Sequence, residues 1–300
     1  MNGIRITDKT EEGRAPDGTP FVRVPAPGYS VAKTFDCGQT FRFLPEVGDP
    51  ACVRGTAFGR QITVDGRIPD ELTVYGPTAE EFSELWAPYL ALDEPGEEAE
   101  TAVLAAMPSV CPSPDAGEQM AEALAAGRGI RILRQEPWET LVSFILSQNN
   151  NIPRIRGIIA RLCGACGRFP LPEDLLRIGT QGLYTLGCGF RAGYLTDAAE
   201  RAASGEFDPG RLHALGYDAA REELTRIRGV GPKVAACVLL FGFHKTEAFP
   251  VDVWMKKCLA RRFPAGFDPA PLGRYAGYAQ QCLFYAERER SRGKREETGG

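Results

Sequence analysis

Two residues in one stretch of this chain have the types and spacing for joint covalent chemistry. Lys233 follows the turn Gly229-Val230-Gly231-Pro232, and Asp252 comes nineteen positions later, within Phe-Pro-Val-Asp-Val-Trp. A neutral amine attacks an electrophilic carbon and goes on to a Schiff base. A carboxylate nearby stabilises positive charge developing on that carbon. The amine must first shed its proton. A helix N-terminus disfavours positive charge and helps it do so, whereas Asp252 pulls the other way. Each residue alone has a plainer reading: a solvated first-turn lysine, or an aspartate that only caps a helix.

The elements around them must do the positioning. Helical patterns flank the Gly-Val-Gly turn, and Pro232 suits a first helical position. Two glycines around one small apolar residue let the backbone approach a phosphate closely, with N–H groups of the second helix facing it. Pro250 favours an extended approach, which makes Asp252 the N-cap of a helix over 253–262. This segment, Leu224 to Lys257, resembles the helix-hairpin-helix motif of DNA repair glycosylases. That superfamily is named for the hairpin, a Gly/Pro-rich loop and an aspartate; its lysine is present in members that also cut the strand. The resemblance implies that Gly229, Val230 and Gly231 contact DNA and that Lys233 and Asp252 are catalytic.

Composition sets the frame. The 300 residues are 43% hydrophobic and 25% charged, ordinary for a globular protein of roughly two domains. No apolar run reaches the ~18 residues of a membrane span. The start, Met-Asn-Gly-Ile-Arg-Ile-Thr-Asp, has early polar residues and no apolar core, so no secretion signal is expected. The expected location is intracellular: the cytoplasm, with the nucleoid, if the source is prokaryotic. Nine cysteines are scattered along the chain, which fits free thiols in a reducing compartment. The net charge of −4 speaks against a polyanionic partner only on average. Arg154, Arg156 and Arg161 form one basic stretch, Lys256, Lys257, Arg261 and Arg262 another. Backbone N–H groups also bind phosphate without basic side chains.

The first ~75 residues alternate like short strands, at residues 20–25, 39–45, 51–59, 61–66 and 71–76. A helix starts at Thr78 with a capping box to Glu81. From about residue 97 the period is helical, with helices expected at 97–106, 116–126, 138–148, 152–163, 191–203, 217–227, 233–243, 252–262 and 274–289. The fold class is therefore α+β: a β-rich domain over 1–110, an all-helical domain over 111–290, and a disordered tail over 291–300.

Four further segments resemble the 8-oxoguanine DNA glycosylase family, and the resemblance runs from about Phe35 to Phe284. It implies a TATA-binding-protein-like fold for the N-terminal domain. In Cys37-Gly-Gln-Thr-Phe-Arg-Phe43, Gly38 matches a glycine whose carbonyl accepts the extra N7–H of 8-oxoguanine. Guanine N7 is an acceptor, so one polarity reversal discriminates the two bases. In residues 146–155, Asn149 matches a residue that fills the space left by the flipped base, and Arg154 one that contacts the opposite cytosine. In residues 187–194, Phe190 matches an intercalating wedge and Arg191 a second cytosine-reading arginine. In residues 278–287, Gln280 and Phe284 match the pair that bonds the Watson–Crick edge and stacks on the base; Cys237 matches a cysteine on its other face. Without the resemblance, Gly38 reads as a turn, residues 149–151 as a loop, and Phe190, Cys237 and Phe284 as core.

There are departures. The family usually has His where Trp254 stands, and Cys37, Thr40 and Phe43 replace Ser, Ser and Trp. Iron–sulfur relatives need four clustered cysteines beyond the helical domain; only Cys258 and Cys282 lie past the hairpin helices, so no cluster is expected. Cys163 and Cys166 lack a second ligand pair, so no metal is expected. No cofactor is implied; a monovalent cation at the hairpin carbonyls is compatible with the motif. The expected activity is a bifunctional glycosylase and AP lyase that removes 8-oxoguanine opposite cytosine, acting as a monomer on duplex DNA carrying a damaged purine. The alternatives are a glycosylase for another damaged purine and a non-catalytic damage-binding protein.

Overall fold

The computed structural model describes residues 10–94 and 96–298, excepting the side chains of 294–298. Six strands form one sheet: β1 (Glu11–Arg14), β2 (Pro20–Pro25), β3 (Phe43–Glu46), β4 (Asp49–Ala57), β5 (Arg60–Asp65) and β6 (Glu71–Tyr75). Their order is β1-β2-β6-β5-β4-β3, and every neighbouring pair is antiparallel. Alternation explains the buried face. Val22 of β2 lies opposite Val74 of β6, which lies opposite Val64 of β5, and all three are buried. Against this row pack Val31 and Phe35 of the helix Val31–Asp36, and Phe82, Trp86 and Tyr89 of the stretch that starts at Thr78. The capping box is present there: Thr78 Oγ1 accepts from the Glu81 N–H, and the Glu81 carboxylate accepts from the Thr78 N–H, each at 3.2 Å.

The apolar run at 39–45 becomes strand only from Phe43; residues before it form an irregular turn that matters below. β1 was not expected. Its residues are mostly exposed, and an edge strand with no buried face carries no alternation.

The rest is helical: Gly96–Val110, Ala116–Gly127, Pro137–Ser147, Ile152–Cys166, Pro172–Leu183, Ala192–Ala203, Pro209–Ala214, Tyr217–Thr225, Pro232–Gly242, Val253–Arg262 and Ala276–Thr298. The expected helices lie within this set. Pro172–Leu183 was missed because Gly179 interrupts it at φ +68°. Val31–Asp36 and Pro209–Ala214 are too short to establish a period. The last helix runs to Thr298, so the tail expected to be disordered from residue 291 is helical to that point.

Two helical cores meet. One gathers Phe144, Ile145, Val238, Leu239 and Phe241. The other gathers Val103, Met107, Met120, Leu124, Met255 and Leu283. Close approach in the second core depends on Gly127, where a Cβ would lie 2.7 Å from Cys282 Cα. Helix Pro232–Gly242 belongs to the first core, whereas Val253–Arg262 and Ala276–Thr298 belong to the second. Lys233 and Asp252 therefore stand on elements of two different cores and line the cavity at the seam between them. All nine cysteines are free thiols, and no described helix is long and apolar enough to cross a membrane.

Candidate active site

The seam opens into a cleft of about 710 Å³. Lys233, Cys237 and Phe241 line one side; a spacing of four puts them on one helix face. Gln280, Phe284 and Arg288 line another side in the same way. The sheet domain contributes Gly38, and the start of helix Val253–Arg262 contributes Asp252 and Trp254. Lys233, Asp252, Gly38, Cys237, Gln280 and Phe284, six residues from four places in the sequence, thus share one cavity.

Lys233 is the second residue of its helix, after Pro232 and the N-cap Gly231. Its amine donates to Ser147 Oγ at 3.4 Å and stands 5.3 Å from the centre of the Phe144 ring. Asp252 does cap its helix, with Oδ1 accepting from the Met255 N–H at 2.7 Å. The capping role and the cleft position coexist, because a carboxylate has two oxygens and the cap engages one. Cys237 is buried, and burial pushes its thiol up. It therefore stays protonated and serves as a soft apolar wall.

Gln280 is 4% exposed. Its Nε2 donates to the Pro250 carbonyl at 3.1 Å, and its Oε1 accepts from Gln281 Nε2 at 2.7 Å. These bonds fix the amide plane and leave it a second N–H and a second lone pair. Gly38 has φ +80°, where a side chain is strained, and a Cβ there would lie 3.5 Å from the Phe284 ring. The adjacent Gln39 pins this turn. Its Nε2 donates to the carbonyls of Thr34 and Arg131, each at 2.8 Å, and its Oε1 accepts from the Leu133 N–H at 2.9 Å.

The residues expected to contact DNA lie along a second run of contacts outside the cavity. Asn149 is exposed at φ +47°, a conformation asparagine tolerates better than most residues. The Arg191 guanidinium donates to the carbonyls of Gln148 and Asn149, the latter at 2.9 Å. The same guanidinium lies 4.3 Å from the Phe190 ring centre. Phe190 is 56% exposed and meets Tyr194 edge-on at 6.0 Å. Tyr194 in turn covers Gly229 of the hairpin, where a Cβ would lie 2.3 Å from the ring. Val230 is buried in the first helical core, and Gly231 has open space around it. Arg154 is exposed.

Arg191, matched to a second cytosine-reading arginine, faces inward. It is 2% exposed, and its donors are occupied by backbone carbonyls of Gln148, Asn149 and Cys188. A buried guanidinium must satisfy its donors, and the turn before Asn149 supplies the nearest acceptors.

Sequence reasoning also missed Ser147 and Phe144, which touch the amine, and Asp36 and Arg288, which line the cleft. Nothing in their spacing relative to Lys233 marks them; only packing brings them in. Among the described residues no three His, Cys, Asp or Glu side chains gather as a metal site.

Comparisons with known proteins agree with this geometry. Residues 22–141 match the family model for the 8-oxoguanine DNA glycosylase N-terminal domain. Residues 142–271 match that of the HhH-GPD superfamily base excision DNA repair proteins. The structure of MBOgg1 in complex with a low-affinity DNA ligand is 32% identical, with a TM-score of 0.82 over 94% of this chain and 99% of that one. The 8-oxoguanine glycosylase/lyase of Clostridium acetobutylicum, in complex with double-stranded DNA containing cytosine opposite 8-oxoguanine, is 30% identical, with a TM-score of 0.81 over 97% of this chain and 100% of that one. The N-glycosylase/DNA lyase of Saccharomyces cerevisiae is 39% identical over 53% of this chain and 57% of its own length. The match thus spans little more than half the length of that curated relative. The six-stranded sheet followed by the helix-hairpin-helix domain, with this identity across nearly the whole chain, makes the protein a member of the 8-oxoguanine DNA glycosylase family.

Proposed function

We propose that this protein is a bifunctional DNA glycosylase and AP lyase that excises 8-oxoguanine opposite cytosine from duplex DNA, acting as a monomer inside the cell. One observation carries the reading: an amine, a carboxylate and the four residues matched to the base pocket line a single cleft.

The duplex bends over the hairpin, and the Gly229–Gly231 turn and the helix start behind it receive a backbone phosphate. Phe190 fills the stack and Asn149 the space left by the extruded nucleotide, which offsets part of the cost of flipping. Gln280 bonds the Watson–Crick edge, and Phe284 and Cys237 cover the faces. The Gly38 carbonyl accepts the N7–H that guanine lacks.

Neutral Lys233 then attacks the anomeric carbon. The bond from that carbon to the purine nitrogen breaks, and its electron pair leaves with the base, which takes up a proton. Positive charge develops on the sugar, and Asp252 stabilises it. Ring opening gives the protonated Schiff base. Loss of a proton from the neighbouring carbon expels the 3′ phosphate, and hydrolysis returns the amine. Ser147 and Phe144 hold the amine at the start of this sequence.

Borohydride trapping tests the reading. A covalent adduct with 8-oxoguanine duplex is expected for the parent and none for Lys233→Gln. Failure of the parent to trap on any damaged duplex would leave a damage-binding protein. Trapping on another lesion but not on 8-oxoguanine would keep the mechanism and remove the substrate.

A further inference from the structure

The two walls of the base pocket come from distant parts of the chain. Gly38 lies on the turn after helix Val31–Asp36, and Phe284 lies on the last helix. Immediately beside this contact is a charge cluster that the proposed chemistry does not use. Asp36, two residues before Gly38, accepts through Oδ2 from Arg288, one turn beyond Phe284, and from Arg292 at 3.1 Å, one turn further. All three line the cleft.

We infer that Asp36, Arg288 and Arg292 form a positioning cluster that sets the width of the base pocket by tying the Gly38 turn to the helix that carries Phe284. The inference rests on the reading of Gly38 and Phe284 as pocket walls.

Three features separate this cluster from an ordinary surface ion pair, which contributes little. The Arg288 side chain is only 13% exposed, so screening by water is weak. Asp36 is 40% exposed, but losing its carboxylate leaves the buried Arg288 guanidinium without its acceptor. The bridge also joins segments 252 residues apart at the level of the pocket. The Gln39 bonds pin the turn to residues 131–133, but they do not reach the last helix. Finally, Arg292 also pairs with Glu289 at 2.8 Å on its own helix, so the tie to Asp36 falls mainly on Arg288. No group in the cluster hydrogen-bonds the Lys233 amine, which donates to Ser147. Its loss changes where the base sits, not whether DNA binds.

The test separates a base-occupied pocket from an empty one. Asp36→Asn and Arg288→Gln are measured for single-turnover excision of 8-oxoguanine at saturating protein, and for binding to duplex with a tetrahydrofuran abasic analogue. Excision is expected to slow about ten- to a hundredfold, as a shift on the order of 1 Å at a reacting centre does. Affinity for the base-free duplex should change less than about twofold. Asp36→Glu should recover excision, and Asp36→Lys with Arg288→Glu should exceed Asp36→Lys alone. The exposed Arg292→Gln gives a milder loss if the buried variant folds poorly. Parental excision in Asp36→Asn, or a parallel fall in excision and base-free binding, overturns the inference. A parent inert on 8-oxoguanine instead sinks the functional reading. The crystal separation of Gly38 from the Phe284 ring in Asp36→Asn then decides: widening supports the cluster's role, and an unchanged gap refutes it.

Discussion

Trp254 stands edge-on to Phe284, with ring centres 5.1 Å apart and planes at 66°. Both line the cleft that holds Lys233. The position usually held by histidine in the family is therefore part of the aromatic wall of the proposed base pocket. Trp254→Ala removes a tilted ring pair worth about 0.5–1.5 kcal/mol beyond area burial and frees Phe284 to move. Excision of 8-oxoguanine should fall roughly tenfold, and Trp254→Phe should retain most of it. Equal rates in all three proteins, by single-turnover assay, would show that Trp254 plays no part.

Arg154 is exposed while Arg191 is buried in backbone contacts, and the two should respond differently. Arg154→Ala is expected to relax preference for cytosine opposite the lesion by about 1–3 kcal/mol, the size of one good base contact. Arg191→Ala removes the clamp on Gln148 and Asn149 as well. Its excision should drop with every opposing base, on top of any lost preference. Rates against the four opposing bases distinguish the two patterns.

Gly229 combines φ +81° with a position that leaves no room for a Cβ under Tyr194. Gly229→Ala should destabilise the protein by about 1–3 kcal/mol from strain and overlap. It should also weaken duplex binding, since the turn that meets the phosphate is displaced. Parental binding should weaken as salt rises despite the net charge of −4, through release of counterions. Titrations by fluorescence anisotropy across a salt series measure both.

Glu139, in the first turn of helix Pro137–Ser147, is paired with Arg42 at 2.7 Å. Burial pushes its carboxyl up from the ordinary 4.5 to about 7, against the opposing pull of Arg42. Between those values the unfolded chain has lost the proton that the folded protein keeps. The group's stabilisation is therefore full below about 4.5 and fades as pH rises through about 7. Glu139→Gln should flatten that part of the stability profile, with a change on the order of 1–3 kcal/mol across it. Denaturation midpoints between pH 4 and 8 provide the check; an unaltered slope would reject it.

Much of this was legible in the linear order of residues. Val22, Val24, Val64 and Val74 announce a half-buried sheet because strand side chains alternate. Thr78 and Glu81 announce a helix start because the box satisfies two orphan donors. Gly229 to Lys233 announce a tight hairpin because Gly frees the backbone for the turn and Pro fixes it for the helix start. Each of these signals is local, set by covalent geometry and by neighbours a few residues away. Strand β1 and the helix broken at Gly179 escaped because one buries no face and the other has no unbroken period.

The cleft belongs to a different level. That an amine at position 233 and a carboxylate at 252 open onto one cavity depends on two helical cores meeting at a seam. That Ser147 holds the amine, Asp36 reaches Arg288 and Arg191 turns inward onto Asn149 depends on which surfaces pack. Periodicity specifies which face of an element is apolar but not which partner covers it. The sequence by itself determined the elements and the residue types able to do the chemistry. Only the tertiary structure decided their neighbours, because burial and long-range contacts, not chain spacing, select the partner each polar group must find.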